Sequence, residues 1–349
     1  MMNIEIEHRK IGEGYPCYII AEAGINHNGS VKIAKKMIDV AKECKVDAIK
    51  FQTFTAEEFV NNENEIYEYE SQGKKIKEPM MKMFKRHEFT EEEWEEIVSY
   101  CNKKNLTFLS TPQNVSDLEL LLDYGISAIK VGSDDLTNLE LLETYSKKGL
   151  PMLISTGMGY MSEIDEAIRT IKKYNNRLVV FHCISSYPTE FNEVNLKAIE
   201  TLQKSYPEVV VGFSDHTFGI EAPIAATALG MKIYEKHFTL NHDMQGPDHK
   251  FSANPYQLNK IVKGIRNIER GLGDGKIGPS KNELDMREIA QRSIVANRKL
   301  KKGEIITEED LTFKRPGTGI PPKNKKYLLG RKLNETVEKN ELINLNTLK

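Results

Sequence analysis

Cysteine is scarce in this 349-residue chain: Cys17, Cys44, Cys101 and Cys183 stand far apart, with no Cys-x-x-Cys pair among them. That spacing argues against a disulfide framework or a thiolate zinc site and predicts reduced thiols in a cytoplasmic protein. Long apolar runs are missing as well. The longest largely apolar stretch, residues 222–231, falls far short of the ~20 residues that span a bilayer. The opening residues, MMNIEIEHRKIGEGYP, carry charges and no apolar core of signal-peptide length. Charge of one sign is not in excess either. Lys and Arg total 49 against 51 Asp and Glu, a net charge of −2, so no basic field draws the chain to nucleic acid. These absences leave a soluble cytoplasmic protein with neither a nucleic-acid nor a membrane partner as the expectation.

What the chain does have is a rhythm. Eight short runs rich in β-branched residues recur: YIIAEAG (18–24), DAIKFQTF (47–54), LTFLSTP (106–112), AIKVGS (128–133), PMLISTG (151–157), RLVVFHC (177–183), VVVGFSDH (209–216) and KIYEKHF (232–238). They are near-continuous apolar runs rather than alternations, as expected of parallel strands covered on both faces. Segments such as VKIAKKMIDVAKECK and SEIDEAIRTIKKYNN separate them, with apolar residues at helical spacing. Eight strand–helix alternations predict an α/β fold, a (β/α)8 TIM barrel over residues 1–270. A doubly wound open sheet is the runner-up and would use fewer strands. Residues 55–89, rich in Glu, Asn, Lys and Tyr, read as an extended loop after the second strand, on the catalytic face. A Gly-rich linker (271–284) then leads to a small, mainly β domain (285–349), in which KKGE and ITEEDL read as a strand entering a capped helical turn.

A barrel of this kind does its chemistry where strands end, and polar residues gather there. His216 and His237 close the last two strand runs, 21 positions apart, so both imidazoles project at one rim and could share a divalent metal. Glu22 ends the first run; Lys50 and Gln52 lie in the second, and Ser110 and Thr111 in the third. Lys130 and Ser133, Ser155 and Thr156, then Ser185, Ser186 and Tyr187 follow, and Ser214, Asp215, Glu235 and Lys236 complete the set. Taken singly, most of these have plain explanations: a strand-end Ser or Thr caps a helix, and a lone lysine snorkels to solvent. His27, His87, His182, His242 and His249 are read as structural, and Asp215 and Glu235 as caps or supporting hydrogen-bond partners. The coincidence at one face carries the argument. Two lysines, several hydroxyls and Gly-rich turns suit a phosphate-bearing anion, and two histidines with open positions suit a catalytic metal.

The segments IIAEAGINHNGS, AIKFQTF, FLSTP, IKVGS, LISTGMG, FSDHT and EKHFTL…GPDHKFSANP, taken together and in this order, resemble the sialic acid (N-acetylneuraminate) synthase family. RSIVANRKLKKGEIITEEDLTFKRPGTGI is similar to the antifreeze-like (SAF) domain that completes those enzymes. The resemblance implies condensation of phosphoenolpyruvate with an N-acylated hexosamine such as N-acetylmannosamine, giving N-acetylneuraminate and phosphate by C–O cleavage. It implies His216 and His237 as ligands of a divalent metal, Mn2+ first with Mg2+ or Co2+ as alternatives, and Glu22 as the acid/base residue. Lys50, Lys130, Ser133, Ser155 and Ser214 would bind phosphoenolpyruvate, with Gln52 and Thr111 nearby, while Tyr187 and Asp248 would contact the sugar. Arg315 would reach a partner's barrel in a domain-swapped homodimer. One position departs: some N-acetylneuraminate synthases carry Asn where Ser185 stands here, which opens the substrate to a legionaminic, or less readily a pseudaminic, precursor. The rivals are a related phosphoenolpyruvate aldol-type synthase and, from another class, a catalytically inactive carbohydrate-binding protein.

Overall fold

A computed structural model describes residues 3–349. Eight parallel strands carry the first unit: β1 (Tyr18–Gly24), β2 (Ala48–Thr53), β3 (Thr107–Pro112), β4 (Ile129–Val131), β5 (Met152–Ser155), β6 (Leu178–Cys183), β7 (Val210–Asp215) and β8 (Ile233–His237). Their hydrogen-bonded order is β3-β2-β1-β8-β7-β6-β5-β4, a nearly closed barrel of the TIM type. All eight runs read from the sequence are these strands. Almost every strand residue is buried, because one face meets the barrel interior and the other meets helices.

The connecting helices are amphipathic and capped. In Val31–Glu43, Ser30 accepts the Ile33 N–H, and Ala34, Met37, Ile38 and Ala41 face the sheet. In Glu91–Lys104, Thr90 and Glu93 form a capping box and Asn105 ends the helix in the left-handed region. A hairpin that sequence reading did not anticipate, Ile4–Ile6 with Arg9–Ile11, sends Ile4, Ile6 and Ile11 into the interior cluster with Tyr18, Ala48, Val179 and Ile233. These contacts lie at the amino-terminal ends of the strands, so the hairpin closes that mouth and leaves only the carboxyl-terminal one for ligands.

The segment 55–89 corrects the expectation of a loop. It contains the helix Ala56–Phe59, an antiparallel hairpin of Ile66–Ser71 with Lys74–Pro79, and the helix Met80–Lys85. Gln72 and Gly73 turn the hairpin, both at positive φ (52° and 73°), as a two-residue turn between twisted strands requires. The polar composition hid a two-residue period: Tyr67 and Tyr69 face one side, and Glu68 pairs with Lys77 on the other. The Gln72 amide donates to the Asp243 carbonyl at 2.8 Å, and Ser71 Oγ accepts the Gly246 N–H at 3.1 Å. The hairpin is thereby tied to the segment that follows β8.

The second unit, Asp274–Lys349, has its own core of Ile294, Ala296, Leu300, Ile306, Leu311 and neighbours. Its one ladder pairs Ser293–Ala296 with Leu311–Lys314, supplemented by isolated bridges and 3-10 turns. Thr307 caps the turn Glu308–Asp310, the helical turn read from ITEEDL. The residues before it form a single bridge, Ile305 with Lys332, rather than a strand. The helix Lys281–Ala290 takes in residues 281–284, which had read as connector. No helix among the described residues is long and apolar enough to cross a membrane.

Candidate active site

Strand register sets the site. β8 pairs with β1 so that His237 faces Glu22, and β1 pairs with β2 so that Glu22 faces Lys50. Gln52 stands beside Thr111, and Ser214 stands between Cys183 and Glu235. The outcome is one cavity of about 410 Å3 at the carboxyl-terminal rim. Glu22, Lys50, Gln52, Thr111, Lys130, Ser133, Ser155, Ser185, Tyr187, Ser214, His216, His237 and Asp248 all line it. Arg315 belongs to the second unit, one residue beyond Leu311–Lys314.

The floor is a buried network of two lysines and two carboxylates. Lys50 Nζ lies 2.7 Å from Glu22 Oε2, donates to Thr111 Oγ1 at 2.9 Å, and is 3.7 Å from Glu235 Oε2. Lys130 Nζ donates to Ser155 Oγ at 2.7 Å and lies 3.8 Å from Glu235 Oε1, which also accepts from Ser214 Oγ at 3.0 Å. Burial raises the Glu22 pKa to about 7, opposed by the Lys50 charge and reinforced by Glu235. Burial pushes Glu235 the same way, but Lys130 and Lys50 outweigh it and hold that carboxyl below its ordinary range. Lys130 is held below its ordinary value by burial, against the pull of Glu235. Burial would lower Lys50 too, yet Glu22 and Glu235 raise it on balance. Glu235 stays charged while Glu22 sits near half-protonation, so the two acids are split into different tasks.

Several buried polar atoms here have no hydrogen-bond partner: Ser185 Oγ, Glu235 Oε2, His237 Nδ1 and Gln113 Oε1. Such atoms are rare in folded chains, and their concentration in one cavity marks groups awaiting a ligand. Gly157 keeps the floor open. A Cβ there would stand 2.2 Å from Ser185 Oγ and 2.8 Å from Ser133 Oγ, which accepts the Gly157 N–H at 3.0 Å.

Above this floor the two histidine rings face each other, centroids 5.5 Å apart, with Tyr187 at 4.2 Å from His216 and Phe251 at 5.1 Å from His237. His216 Nδ1 donates to the Ile184 carbonyl at 2.8 Å, leaving Nε2 for a ligand. Burial would lower the His216 pKa, but the neighbouring Cys183 raises it on balance. Burial and the neighbouring His216 hold His237 well below its ordinary range, so its ring is neutral. Asp248 Oδ2 lies 3.8 Å from His237 Nδ1, and burial lifts its carboxyl to about 7, opposed by His216. No group of three or more His, Cys, Asp or Glu is placed to enclose a metal among the described residues. The pair supplies two imidazole donors of the kind a divalent ion takes, and the buried His237 Nδ1 has no hydrogen-bond partner.

The other histidines are engaged elsewhere. His87, His182 and His242 each bond a backbone carbonyl, His249 bonds Thr239, and His27 stacks on Phe89. Sequence reading undervalued Glu235, which sits between the lysines rather than capping a helix. The two-residue period of a strand, placing positions 235 and 237 on one face, was the available signal. Gln113 and the wall residues Phe59, Tyr67, Met83 and Phe84 were missed because their segments read as loops.

Comparison with known proteins follows the same outline. An uncharacterised protein of Methanocaldococcus jannaschii is 42% identical over 98% of each chain. The N,N'-diacetyllegionaminic acid synthase of Legionella pneumophila is 39% identical over 92% of each. The crystal structure of the N-acetylneuraminic acid (sialic acid) synthetase of Leptospira borgpetersenii, in complex with citrate, is similar with a TM-score of 0.73 and 37% identity, covering 82% of this chain and 95% of that one. Residues 291–349 match the SAF domain. With residues 37–277 matching its pattern, the chain belongs to the NeuB family.

Proposed function

We propose that this NeuB-family transferase condenses phosphoenolpyruvate with the open-chain aldehyde of an N-acylated hexosamine, releasing phosphate and a nine-carbon 2-keto sugar acid. N-acetylmannosamine is the simplest acceptor of that class. A diacetamido-trideoxyhexose is the second, favoured by the similarity to a legionaminic acid synthase. The observation that carries the reading is the buried Lys50–Lys130 pair, ringed by Thr111, Ser133, Ser155 and Ser214. Two ammonium groups and four hydroxyls match a phosphate and a carboxylate on one small anion.

The residues then divide the work. Lys50 and Lys130 hold the anionic oxygens and stabilise the charge that gathers on the leaving phosphate. Tyr187 and Asp248 orient the sugar so that C3 of phosphoenolpyruvate meets its aldehyde carbon. The new C–C bond leaves C2 electron-poor; water adds there, and the C2–O bond to phosphate breaks. Glu22, with its carboxyl near half-protonation, takes the proton of that water, and the alkoxide left on the former aldehyde carbon takes up a proton in exchange. A divalent ion at His216 and His237, Mn2+ in first place and Mg2+ or Co2+ otherwise, supplies Lewis-acid polarisation of the aldehyde when bound.

Inorganic phosphate release from phosphoenolpyruvate tests the reading across free acetamido sugars, arabinose 5-phosphate and erythrose 4-phosphate. Release with the acetamido sugars alone is expected. Release with the sugar phosphates instead would assign a different aldol-type synthase, and sugar binding without release would leave a carbohydrate-binding protein.

Arg315 is proposed to touch the sugar's N-acyl end across a domain-swapped homodimer, as the family resemblance implies. Arg315→Ala should raise KM for the sugar by ~10- to 100-fold, about the worth of one charge-assisted hydrogen bond, while KM for phosphoenolpyruvate stays within about twofold. Unaltered sugar kinetics would remove that role.

A further inference from the structure

The two lysines of the floor keep different company. Lys50 sits 2.7 Å from the Glu22 carboxylate, which with Glu235 raises it on balance. Among the described residues no carboxylate comes that close to Lys130: Glu235 Oε1 stands off at 3.8 Å and accepts instead from Ser214 Oγ. Lys130 Nζ donates to neutral oxygens, the Val131 carbonyl at 2.8 Å and Ser155 Oγ at 2.7 Å, and lies 5.4 Å from the centre of the Phe181 ring. A buried ammonium without a close counter-charge is costly. Burial, aided by the Lys50 charge and opposed by Glu235, holds this amine below its ordinary range. Lysines placed in this way are the ones able to attack carbonyl carbons.

The proposed reaction brings such a carbon to the site. In phosphoenolpyruvate C2 carries an enol phosphate, which an amine does not condense with, and the phosphate charge keeps both lysines protonated. Once the C2–O bond breaks, C2 is a ketone and the phosphate can depart. Lys130 then faces a 2-keto acid with one anion fewer to hold its proton. The Nζ atoms of Lys50 and Lys130 lie 3.7 and 3.8 Å from the one Glu235 carboxylate. A keto acid whose carboxylate rests on Lys50 therefore brings its C2 next to Lys130.

We propose that Lys130 forms a Schiff base with 2-keto acids, the condensation product and pyruvate among them. Nζ of the neutral amine attacks C2 and forms the N–C bond. Both amine protons pass to the carbonyl oxygen, which leaves as water, and a C=N double bond remains. Ser155 Oγ, hydrogen-bonded to Nζ, is placed to carry those protons across. The imine occupies the seat of phosphoenolpyruvate until it hydrolyses, so each capture pauses turnover. The inference rests on the proposed condensation for the nature of the product, but not for pyruvate.

Pyruvate and sodium borohydride, added together to the full-length enzyme, test it, with intact mass and peptide masses as the readout. Borohydride delivers a hydride to the imine carbon and fixes a secondary amine, which adds one pyruvate less one oxygen atom. A single adduct per chain is expected, on the peptide carrying Lys130, with phosphate release lost in proportion. At subsaturating pyruvate, phosphoenolpyruvate at ~10 times its Kd should cut labelling about tenfold by filling the same seat. Lys130→Arg should lose the adduct, whereas Lys50→Arg, which keeps a cation for the carboxylate, should retain it. Wild type left unlabelled at position 130, or labelled evenly over its exposed lysines, overturns the Schiff base whether or not the variants fold. Labelling of Lys130 in an enzyme that releases no phosphate would sustain the Schiff base and sink the condensation instead.

Discussion

His237→Ala should lower kcat by ~100- to 1,000-fold, on the scale found when one preorganised stabilising group is lost, and should weaken Mn2+ binding by about 100-fold. The site has two imidazoles and, among the described residues, no third metal-binding side chain close enough to complete a cluster. Removing one nitrogen from a two-nitrogen site leaves His216 alone, too little to hold an ion. Position 237 is also held firmly. β8 pairs with β1 through His237 itself, and Phe251 and Tyr187 pack the ring edge-on. Alanine preserves the strand and removes only the imidazole, so the variant should still unfold cooperatively, at a somewhat lower temperature because the packed ring leaves a cavity. Calorimetric titration of Mn2+ into wild type and variant separates the two consequences. An unaltered isotherm, or full activity of the wild type after chelation, would remove the metal from the proposal.

Much of this arrangement was legible because barrel strands write their identity into sequence. A strand buried on both faces must be apolar nearly throughout, so Lys50 inside AIKFQT or Glu235 inside IYEKH stands out as an exception requiring a partner. Since parallel strands end at a common rim, exceptions near strand ends converge without any knowledge of which strands are neighbours. Pair identity is a different matter. That Glu22 meets Lys50, while Glu235 lies between Lys50 and Lys130, depends on register, which one sequence does not print.

The 55–89 segment was illegible for another reason. Its hairpin packs one half-buried face on a small cluster of only three buried residues, so its burial contrast is weak and its charged face dominates the composition. Gln72-Gly73 was the one local signal, since both residues adopt positive φ. The amino-terminal hairpin is so short that three isoleucines carry its whole apolar contact with the barrel interior.

Glu22→Gln should lower kcat by ~100- to 10,000-fold, the usual worth of a positioned acid/base group, and should change the pH profile in a way a packing defect would not. Glutamine keeps the size of the side chain and the contact with Gln52, which donates to Glu22 Oε1 at 3.2 Å. The ionisation is lost, and with it the ion pair to Lys50. Burial, moderated by Lys50, places that ionisation at about 7 rather than in the ordinary carboxylate range. The carboxyl is therefore protonated below pH 7 and charged above it. A group that accepts a proton from water works in the charged form, so wild-type kcat/KM should climb through pH 7, and the residual activity of the variant should lack that limb. Asp248 is the competing origin, since burial brings its carboxyl to about 7 as well. Asp248→Asn distinguishes them: assigned to the sugar, Asp248 should mainly raise KM for the acceptor and leave the limb in place. Retention of the limb in Glu22→Gln together with its loss in Asp248→Asn would transfer the proton-accepting role to Asp248.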